Sequence, residues 1–228
     1  MTGFLCLRHT YGIMIASYFS VKEGKKVMKK IVFATGNAGK MKEIREILAD
    51  LPVEIYSMKE AGISVEIDEN GKTFEENAKI KAQTVAGCTD GDTIVLADDS
   101  GLEVDALNGE PGVYSARYMG EDTPYTVKNN HIIELLKDVE GDDRSARFVC
   151  VIACVFPDGR SFTCRGVVEG QIGYSEKGEN GFGYDPIFYV PELGCTTAEL
   201  KPEDKNQISH RGRALTEMYR KMKEYGIV

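Results

Sequence analysis

The 228-residue sequence lacks the cysteine and histidine patterns of structural zinc sites. Its six cysteines include no C-x-x-C pair, and its three histidines do not occur at metal-ligand spacing. It also lacks a G-x-S-x-G elbow and an H-E-x-x-H motif, which argues against serine-hydrolase and zinc-peptidase chemistry. No apolar run is long enough for a membrane-spanning helix. We therefore interpret the cysteines as small apolar residues of a reduced, cytoplasmic protein.

Positive charge is also scarce, since 28 Lys and Arg residues against 36 Asp and Glu residues give a formal net charge of -8. A protein that binds nucleic-acid polymers needs an electropositive surface, so this balance argues against such a partner. An anionic ligand must instead be small and bound by a local group of cations. A nucleotide fits this description.

The first 27 residues differ from the rest of the sequence. Their apolar part, residues 11–19, is short and has no convincing signal-peptide cleavage site. Met28 is followed by two lysines and an apolar run typical of a strand. We expect residues 1–27 to be a disordered extension or to precede the true start. Residues 28–228 contain no internal repeat and no long linker, which predicts one domain.

Hydrophobic periodicity predicts a mixed α/β sheet, because strands alternate with helices early and a hairpin follows later. The predicted strands cover residues 31–34, 93–97, 147–156 and 161–168. One predicted helix ends before Pro52, and three others begin at the capping residues Thr73, Thr123 and Ser209. The segments 108–120 and 170–185 are predicted loops.

The segment 35–40, TGNAGK, follows a predicted strand and opens a helix. Free N–H groups and the helix dipole favour an anion at such a position. Gly36 and Gly39 would let the backbone approach a phosphate, and Lys40 could reach an outer phosphate. The spacing is not that of a Walker A loop. The alternative is an ordinary strand-to-helix turn with a solvated lysine.

Asp98 and Asp99 follow an apolar predicted strand and are succeeded by Ser100. Two adjacent carboxylates need a counter-charge if they are buried, and Mg²⁺ is a cation that prefers carboxylate oxygens. Because neighbouring strand residues point to opposite faces, one carboxylate should face a cleft and the other should support structure. The alternative is an Asp-Asp-Ser-Gly turn capped by its own side chains.

Two later segments combine residue types that bind nucleotides. Residues 180–186 interleave glycines with aromatics that could stack on a nucleobase, or that could instead fill the core. Residues 205–211 place cations and His210-Arg211 near the predicted start of the last helix, where they could donate to a carbonyl. The alternative for this segment is a helix capped by Ser209 with solvated charges.

Taken together, five stretches of the sequence resemble the XTP/dITP diphosphatase family, also called inosine triphosphate pyrophosphatases. They occur in the family's order: TGNAGK (35–40), TFEENAKIKA (73–82), ADDSGLEVDALNGEPGVYSARY (97–118), GFGYDPIF (181–188) and KNQISHRGRAL (205–215). The resemblance implies an elongated mixed sheet flanked by helices, with two lobes around a nucleotide cleft. It also implies a homodimer that uses Mg²⁺ to hydrolyse the purine nucleotides ITP, dITP and XTP to monophosphate and pyrophosphate.

The resemblance implies roles for individual residues as well. Asp99 would be the catalytic base and a metal ligand, and the second acidic ligand would be Asp68, or else Glu69. The implied substrate-binding residues are Thr35, Gly36, Asn37, Ala38, Gly39, Lys40, Ser100, Phe182, Gly183, Tyr184, Asp185, Lys205, His210 and Arg211. Two other functions fit the residues: a nucleotide phosphatase that releases orthophosphate, and a nucleotide-sensing module without activity.

Overall fold

Seven strands form one sheet in the order β2-β1-β3-β4-β5-β6-β7 in a computed structural model, which describes residues 29–49 and 51–226. The strands are β1 (Lys29–Phe33), β2 (Val53–Ser57), β3 (Ile94–Val104), β4 (Ser145–Val155), β5 (Ser161–Ile172), β6 (Phe188–Val190) and β7 (Cys195–Thr196). The helices are α1 (Ala38–Ile47), α2 (Phe74–Ala86), α3 (Tyr125–Leu135), α4 (Pro202–Ile208) and α5 (His210–Glu224). The open, mixed sheet with flanking helices confirms the predicted fold class. The expectation for residues 1–27 lies outside the described residues.

The sheet changes from parallel to antiparallel pairing at β3. On one side β3 pairs in parallel with β1, whose pairing ends at Phe33 opposite Leu96. On the other side β3 pairs in antiparallel with β4 along its length, from Val95 to Val104. The second half of β3 therefore continues past the end of β1. Asp98 and Asp99 lie just beyond this point, where the sheet leaves room for side chains from helices.

The helices cover both faces of the sheet and enclose separate apolar clusters. On one face, Ile44 of α1 and Met218 of α5 belong to a buried cluster with Ile31 and Leu96 of the sheet. On the other face, the apolar side of α2, which includes Ala78, packs in a cluster with Val95 of β3. The helical spacing of the apolar residues in α2 predicts this contact. A third cluster joins α3 to β4, β5 and the segment after β5. The polar site described below lies between these clusters.

No helix in the described part of the chain is both long and apolar enough to cross a membrane.

The prediction that β3 ends before the acidic pair is wrong. Asp98 pairs with Ile152 and Asp99 with Val151 in the regular β3–β4 register. Cross-strand hydrogen bonding thus prevails over the local turn preference of an Asp-Asp-Ser-Gly sequence. The alternative interpretation as a self-capped turn is excluded.

The predicted helix starts are confirmed in two of three cases. Thr73 accepts a hydrogen bond from the Glu76 N–H, and Ser209 accepts one from the Gly212 N–H. The prediction for Thr123 is wrong, because its hydroxyl donates to the Met119 carbonyl and α3 begins two residues later. The hairpin of β4 and β5 is confirmed. Lys205 lies in the separate helix α4, one helix earlier than predicted.

Candidate active site

The adjacent carboxylates Asp98 and Asp99 engage different helices. Asp98 lies 3.0 Å from the Lys40 ammonium of α1 and 3.1 Å from the Arg211 guanidinium of α5. Asp99 lies 2.7 Å from the Lys81 ammonium of α2. This division follows from the alternation of side chains along a strand, which sends neighbours to opposite faces. The two carboxylates consequently belong to two polar clusters that meet across β3.

Asp98 is an internal anchor for cations. Its side chain is fully buried, and burial alone would raise the pKa of the carboxyl. The Lys40 and Arg211 charges outweigh that effect and hold its pKa well below the usual range. Its Oδ1 atom has no hydrogen-bond partner among the described residues. Because Asp98 orders Lys40 and Arg211, it fixes two groups that face a pocket.

Asp99 belongs to a cluster on the α2 side of the sheet. The Lys81 ammonium bridges Asp99 Oδ1 at 2.7 Å and Glu69 Oε2 at 2.9 Å, and Asn77 donates to Asp99 Oδ2 at 3.3 Å. Burial raises the pKa of Asp99 against the opposing effect of the Lys81 charge. The predicted second ligand, Asp68, is exposed and accepts a hydrogen bond from Asn70. The structure therefore brings Glu69, rather than Asp68, to Asp99.

The segment 35–40 forms the turn that opens α1. Asn37 is the helix N-cap, and its side chain accepts a 3.0 Å hydrogen bond from the Lys40 N–H. Thr35 accepts a 3.2 Å hydrogen bond from the Asn37 N–H. At Gly39, a Cβ atom would lie 3.1 Å from the Phe182 ring, so the absence of a side chain lets the two segments approach. Local capping and this close contact fix the turn beside Asp98.

Glu43 of α1 contacts the last two helices of the described chain and was not predicted from the sequence. Its carboxylate accepts hydrogen bonds from the Lys205 ammonium, at 2.7 Å, and from the Arg211 guanidinium. The same Lys205 ammonium lies 2.6 Å from Asp185. Glu43 follows Lys40 by three residues, so both lie on one face of α1. That spacing is the only sequence signal that could have identified it.

An aromatic pocket adjoins the Asp98 cluster. It is lined by Asn37, Lys40, Ser100, Gly101, Ser115, Ala116, Tyr125, Phe148, Phe182, Gly183, Tyr184, Asp185, Lys205, His210 and Arg211. The His210 ring stacks on the Phe148 ring with 4.8 Å between centroids. Burial lowers the pKa of His210 well below its usual value, assisted by the Arg211 and Lys205 charges, so its imidazole is neutral near pH 7. The Lys205 ammonium lies 5.1 Å from the Phe182 ring centroid.

The predicted site residues do not all lie together. Most line the aromatic pocket, whereas Thr35, Gly36 and Ala38 line a wider cleft beside it. Gly39 lines neither cavity and faces the Phe182 ring, and Asp68 is exposed. Asp99 lies on the opposite face of β3. Lys81 was not predicted as a site residue, although it lies in the stretch TFEENAKIKA that carries the resemblance. The pocket residues Tyr125 and Phe148 were not predicted either.

The described residues contain no group of three or more His, Cys, Asp or Glu side chains placed to bind a metal. Asp99 and Glu69 form a pair of carboxylates around one ammonium. One lysine neutralises only one of the two negative charges, so this pair has the oxygen atoms and the excess charge that suit a hard divalent cation. Zinc, which favours nitrogen and sulphur ligands, does not match them.

The fold and the site define an α/β protein whose paired carboxylates occupy the point where a mixed sheet changes its pairing direction. Comparison with known proteins gives the particular family. A family model described as the Ham1 family matches residues 31–221, and the chain belongs to this family. The resemblance identified from the sequence motifs is thereby confirmed.

Individual relatives cover most of the chain. It is 49% identical over 195 residues to a dITP/XTP pyrophosphatase from Clostridium perfringens, with 84% of this chain and 96% of that protein covered. It is 48% identical to a protein of the same name from Vibrio cholerae, with 86% and 98% covered. Among solved structures, the Ham1 proteins of Staphylococcus aureus and Coxiella burnetii give TM-scores of 0.77 and 0.76. Each is 43% identical to this chain and covers 86% of it, and each is matched over its full length.

Proposed function

We propose that this chain is an enzyme that hydrolyses non-standard purine nucleoside triphosphates, such as ITP, dITP and XTP, to the monophosphate and pyrophosphate. The observation that carries this proposal is the division of Asp98 and Asp99 between a cation-lined aromatic pocket and a carboxylate cluster. A nucleotide could then place its base in the pocket and its phosphates beside the cluster. The relatives named dITP/XTP pyrophosphatase support the same substrate class.

Magnesium is the proposed cofactor, and Asp99 and Glu69 would hold it. The fit rests on their two carboxylates around the single Lys81 ammonium, which leave one negative charge uncompensated. When bound there, magnesium supplies charge that stabilises the negative phosphate oxygens during hydrolysis. The assignment of Asp68 as a ligand stays a prediction. We favour Glu69 as the second ligand because the Asp68 carboxylate accepts a hydrogen bond from Asn70.

Asp99 is the proposed base. Its carboxylate would accept a proton from the water that attacks the α-phosphorus, or would orient that water, and pyrophosphate would leave on the opposite side. Lys81 fixes the carboxylate through the 2.7 Å ion pair, and Asn77 holds its other oxygen. Lys40 and the N–H groups at the start of α1 would bind the triphosphate.

The nucleobase would enter the aromatic pocket. Phe182 offers a ring for stacking, and a neutral His210 carries one N–H that can donate to the 6-oxo group of hypoxanthine or xanthine. Both terminal nitrogens of Arg211 already bond to Glu43, Asp98 and Ser100. Its Nε, which has no partner among the described residues, and the second N–H of Nη1 are left to meet a ligand. Discrimination against the 6-amino group of adenine would follow from this set of donors.

Product analysis tests the function. The wild-type protein is incubated with Mg²⁺ and, separately, with ITP, dITP, XTP, ATP and GTP, and the products are separated by anion-exchange chromatography. We expect monophosphate and pyrophosphate from the first three, with much slower turnover of ATP. Release of orthophosphate would instead identify a nucleotide phosphatase, and tight binding without products would identify a sensing module. A parallel reaction with EDTA tests the need for a divalent cation.

Substitution of the base tests the mechanism. Asp99→Asn should lower the turnover of ITP by about 10²–10³ while binding of the product IMP stays within a fewfold of wild type. Asp105→Asn is the control, because Asp105 is an exposed carboxylate paired with Arg147 just after β3. Near wild-type turnover by Asp99→Asn would remove Asp99 from the mechanism.

We further propose that the chain forms a homodimer in the cytoplasm and that it binds neither a nucleic-acid polymer nor a membrane. The net charge of -8 supports the absence of nucleic-acid binding. Sedimentation equilibrium of the full-length chain tests the dimer.

A further inference from the structure

Every cation at the centre of the site is already paired with a carboxylate. The pairs involve the cations Lys40, Lys81, Lys205 and Arg211 and the carboxylates Glu43, Glu69, Asp98, Asp99 and Asp185. These four cations and five carboxylates leave the cluster with one negative charge in excess. A triphosphate adds more negative charge than Lys40 and the N–H groups at the start of α1 can offset, so its outer phosphates need a further cation.

Arg117 is an exposed guanidinium beside the cluster and forms no ion pair with the described residues. Its terminal nitrogen donates to the backbone carbonyl of Glu69 at 3.4 Å, a long hydrogen bond that leaves its other donors available. Its Cζ atom lies 4.9 Å from the Tyr114 ring centroid, which supports the side chain from one side. The guanidinium is therefore held next to the segment that brings Glu69 to Asp99.

The residues before Arg117 connect it to the aromatic pocket. Ser115 and Ala116 line that pocket, and their carbonyls accept hydrogen bonds from Tyr184, at 2.8 Å, and from Lys128, at 2.6 Å. Arg117 thus comes directly after two residues of the pocket wall and contacts the backbone of Glu69. Phosphates that extend from a base in the pocket toward Asp99 would pass this position.

We propose that Arg117 binds the two phosphoryl groups that leave as pyrophosphate. A guanidinium presents paired N–H donors that match phosphate oxygens, and an unpaired one gains the most from a charged ligand. This inference rests on the proposed function, because it requires pyrophosphate as a product.

Product inhibition tests the proposal in the full-length enzyme with Mg²⁺. Pyrophosphate and IMP are used separately as inhibitors of ITP hydrolysis. Arg117→Ala should weaken inhibition by pyrophosphate about tenfold or more and leave inhibition by IMP within twofold of wild type. Arg117→Lys should give an intermediate value, because an ammonium is a point charge without paired donors. Arg213→Ala is the matched control, since Arg213 is also exposed and donates to one backbone carbonyl, that of Val167.

The other outcomes separate the alternatives. Unchanged inhibition by pyrophosphate in Arg117→Ala, with ITP still hydrolysed to IMP and pyrophosphate, overturns the assignment and leaves the proposed function intact. If Lys59→Ala instead weakened inhibition by pyrophosphate and left inhibition by IMP unchanged, the outer phosphates would be assigned to the wider cleft, which Lys59 lines. Equal weakening by pyrophosphate and IMP, or a lowered melting temperature, would show that Arg117 supports the loop instead. A wild-type protein that releases no pyrophosphate overturns both proposals.

Discussion

The Lys81 ammonium lies between the carboxylates of Asp99 and Glu69, at 2.7 Å and 2.9 Å. Its side chain is 9% exposed, so the pair with Asp99 is screened little by solvent. Burial lowers the pKa of Lys81, but the carboxylate charges outweigh this effect and raise it, so Lys81 is charged at neutral pH. One lysine from α2 therefore sets the distance between two carboxylates from separate segments of the chain.

Lys81→Met should lower the turnover of ITP by about 10²–10³, because it removes a preorganised charge and leaves two carboxylates facing each other. Steady-state kinetics with saturating Mg²⁺ measure the effect. Lys79→Met is the control on the exposed side of the same helix and should retain wild-type turnover. More than half of the wild-type turnover in Lys81→Met would contradict the role given to this lysine.

Asp98→Asn should lower the free energy of unfolding by about 3–5 kcal/mol, because it leaves Lys40 without its buried counter-charge and Arg211 with Glu43 alone. Urea denaturation at neutral pH measures this change. Asp158→Asn, in an exposed pair with Arg160, should change the free energy of unfolding by less than about 0.5 kcal/mol. Equal effects of the two substitutions would show that Asp98 is not an anchor.

Gly166→Ala should separate β5 from the start of α5. A Cβ atom at this position would lie 2.1 Å from the His210 carbonyl oxygen and 2.6 Å from the Ala214 nitrogen. We expect a loss of about 1–3 kcal/mol in the free energy of unfolding, together with weaker IMP binding, because His210 must move. Isothermal titration calorimetry measures the second effect. Gly91→Ala is the control, since nothing lies within 4 Å of its Cβ position.

His210 should make stability depend on pH. Its pKa is lowered in the folded state by burial and by the Arg211, Lys205 and Lys40 charges, with Asp98 opposing them. Below about pH 6.5 the unfolded chain binds a proton that the folded chain does not, so stability is lost as the pH falls from that value.

The slope contributed by one such histidine is at most about 1.4 kcal/mol per pH unit. His210→Gln should flatten the wild-type decline in unfolding free energy between pH 6.5 and 5.5 by about 1 kcal/mol. Urea titrations across this range measure it, and His131→Gln, at a half-buried position of α3 outside the aromatic pocket, is the control substitution. Parallel curves for wild type and His210→Gln would contradict the argument.

The features that depend on neighbouring residues could be predicted from the sequence. The caps at Thr73 and Ser209 each require a hydrogen bond from the N–H group three residues further along the chain, and both bonds are present. The turn at 35–40 likewise contains local hydrogen bonds that Thr35 and Asn37 accept. The alternation of Asp98 and Asp99 was also predictable, because a strand fixes which neighbours share a face.

The features that depend on distant partners were not predictable. The acidic pair continues β3 only because β4, about fifty residues later, supplies the hydrogen bonds. The choice between Asp68 and Glu69 depends on the position of Lys81, which no local pattern reveals. Glu43 was missed because its partners come from the last two helices.

Glu43 receives its hydrogen bonds from residues 162 and 168 positions further along the chain. A chain still attached to the ribosome therefore has no complete aromatic pocket until α5 has left the exit tunnel. Truncation before Arg211 removes the guanidinium that pairs with both Glu43 and Asp98, together with the α5 residues of the apolar core, which yields an unstable protein rather than a weaker enzyme. Activity in a cell extract accordingly reports only chains that have been synthesised to the last helix.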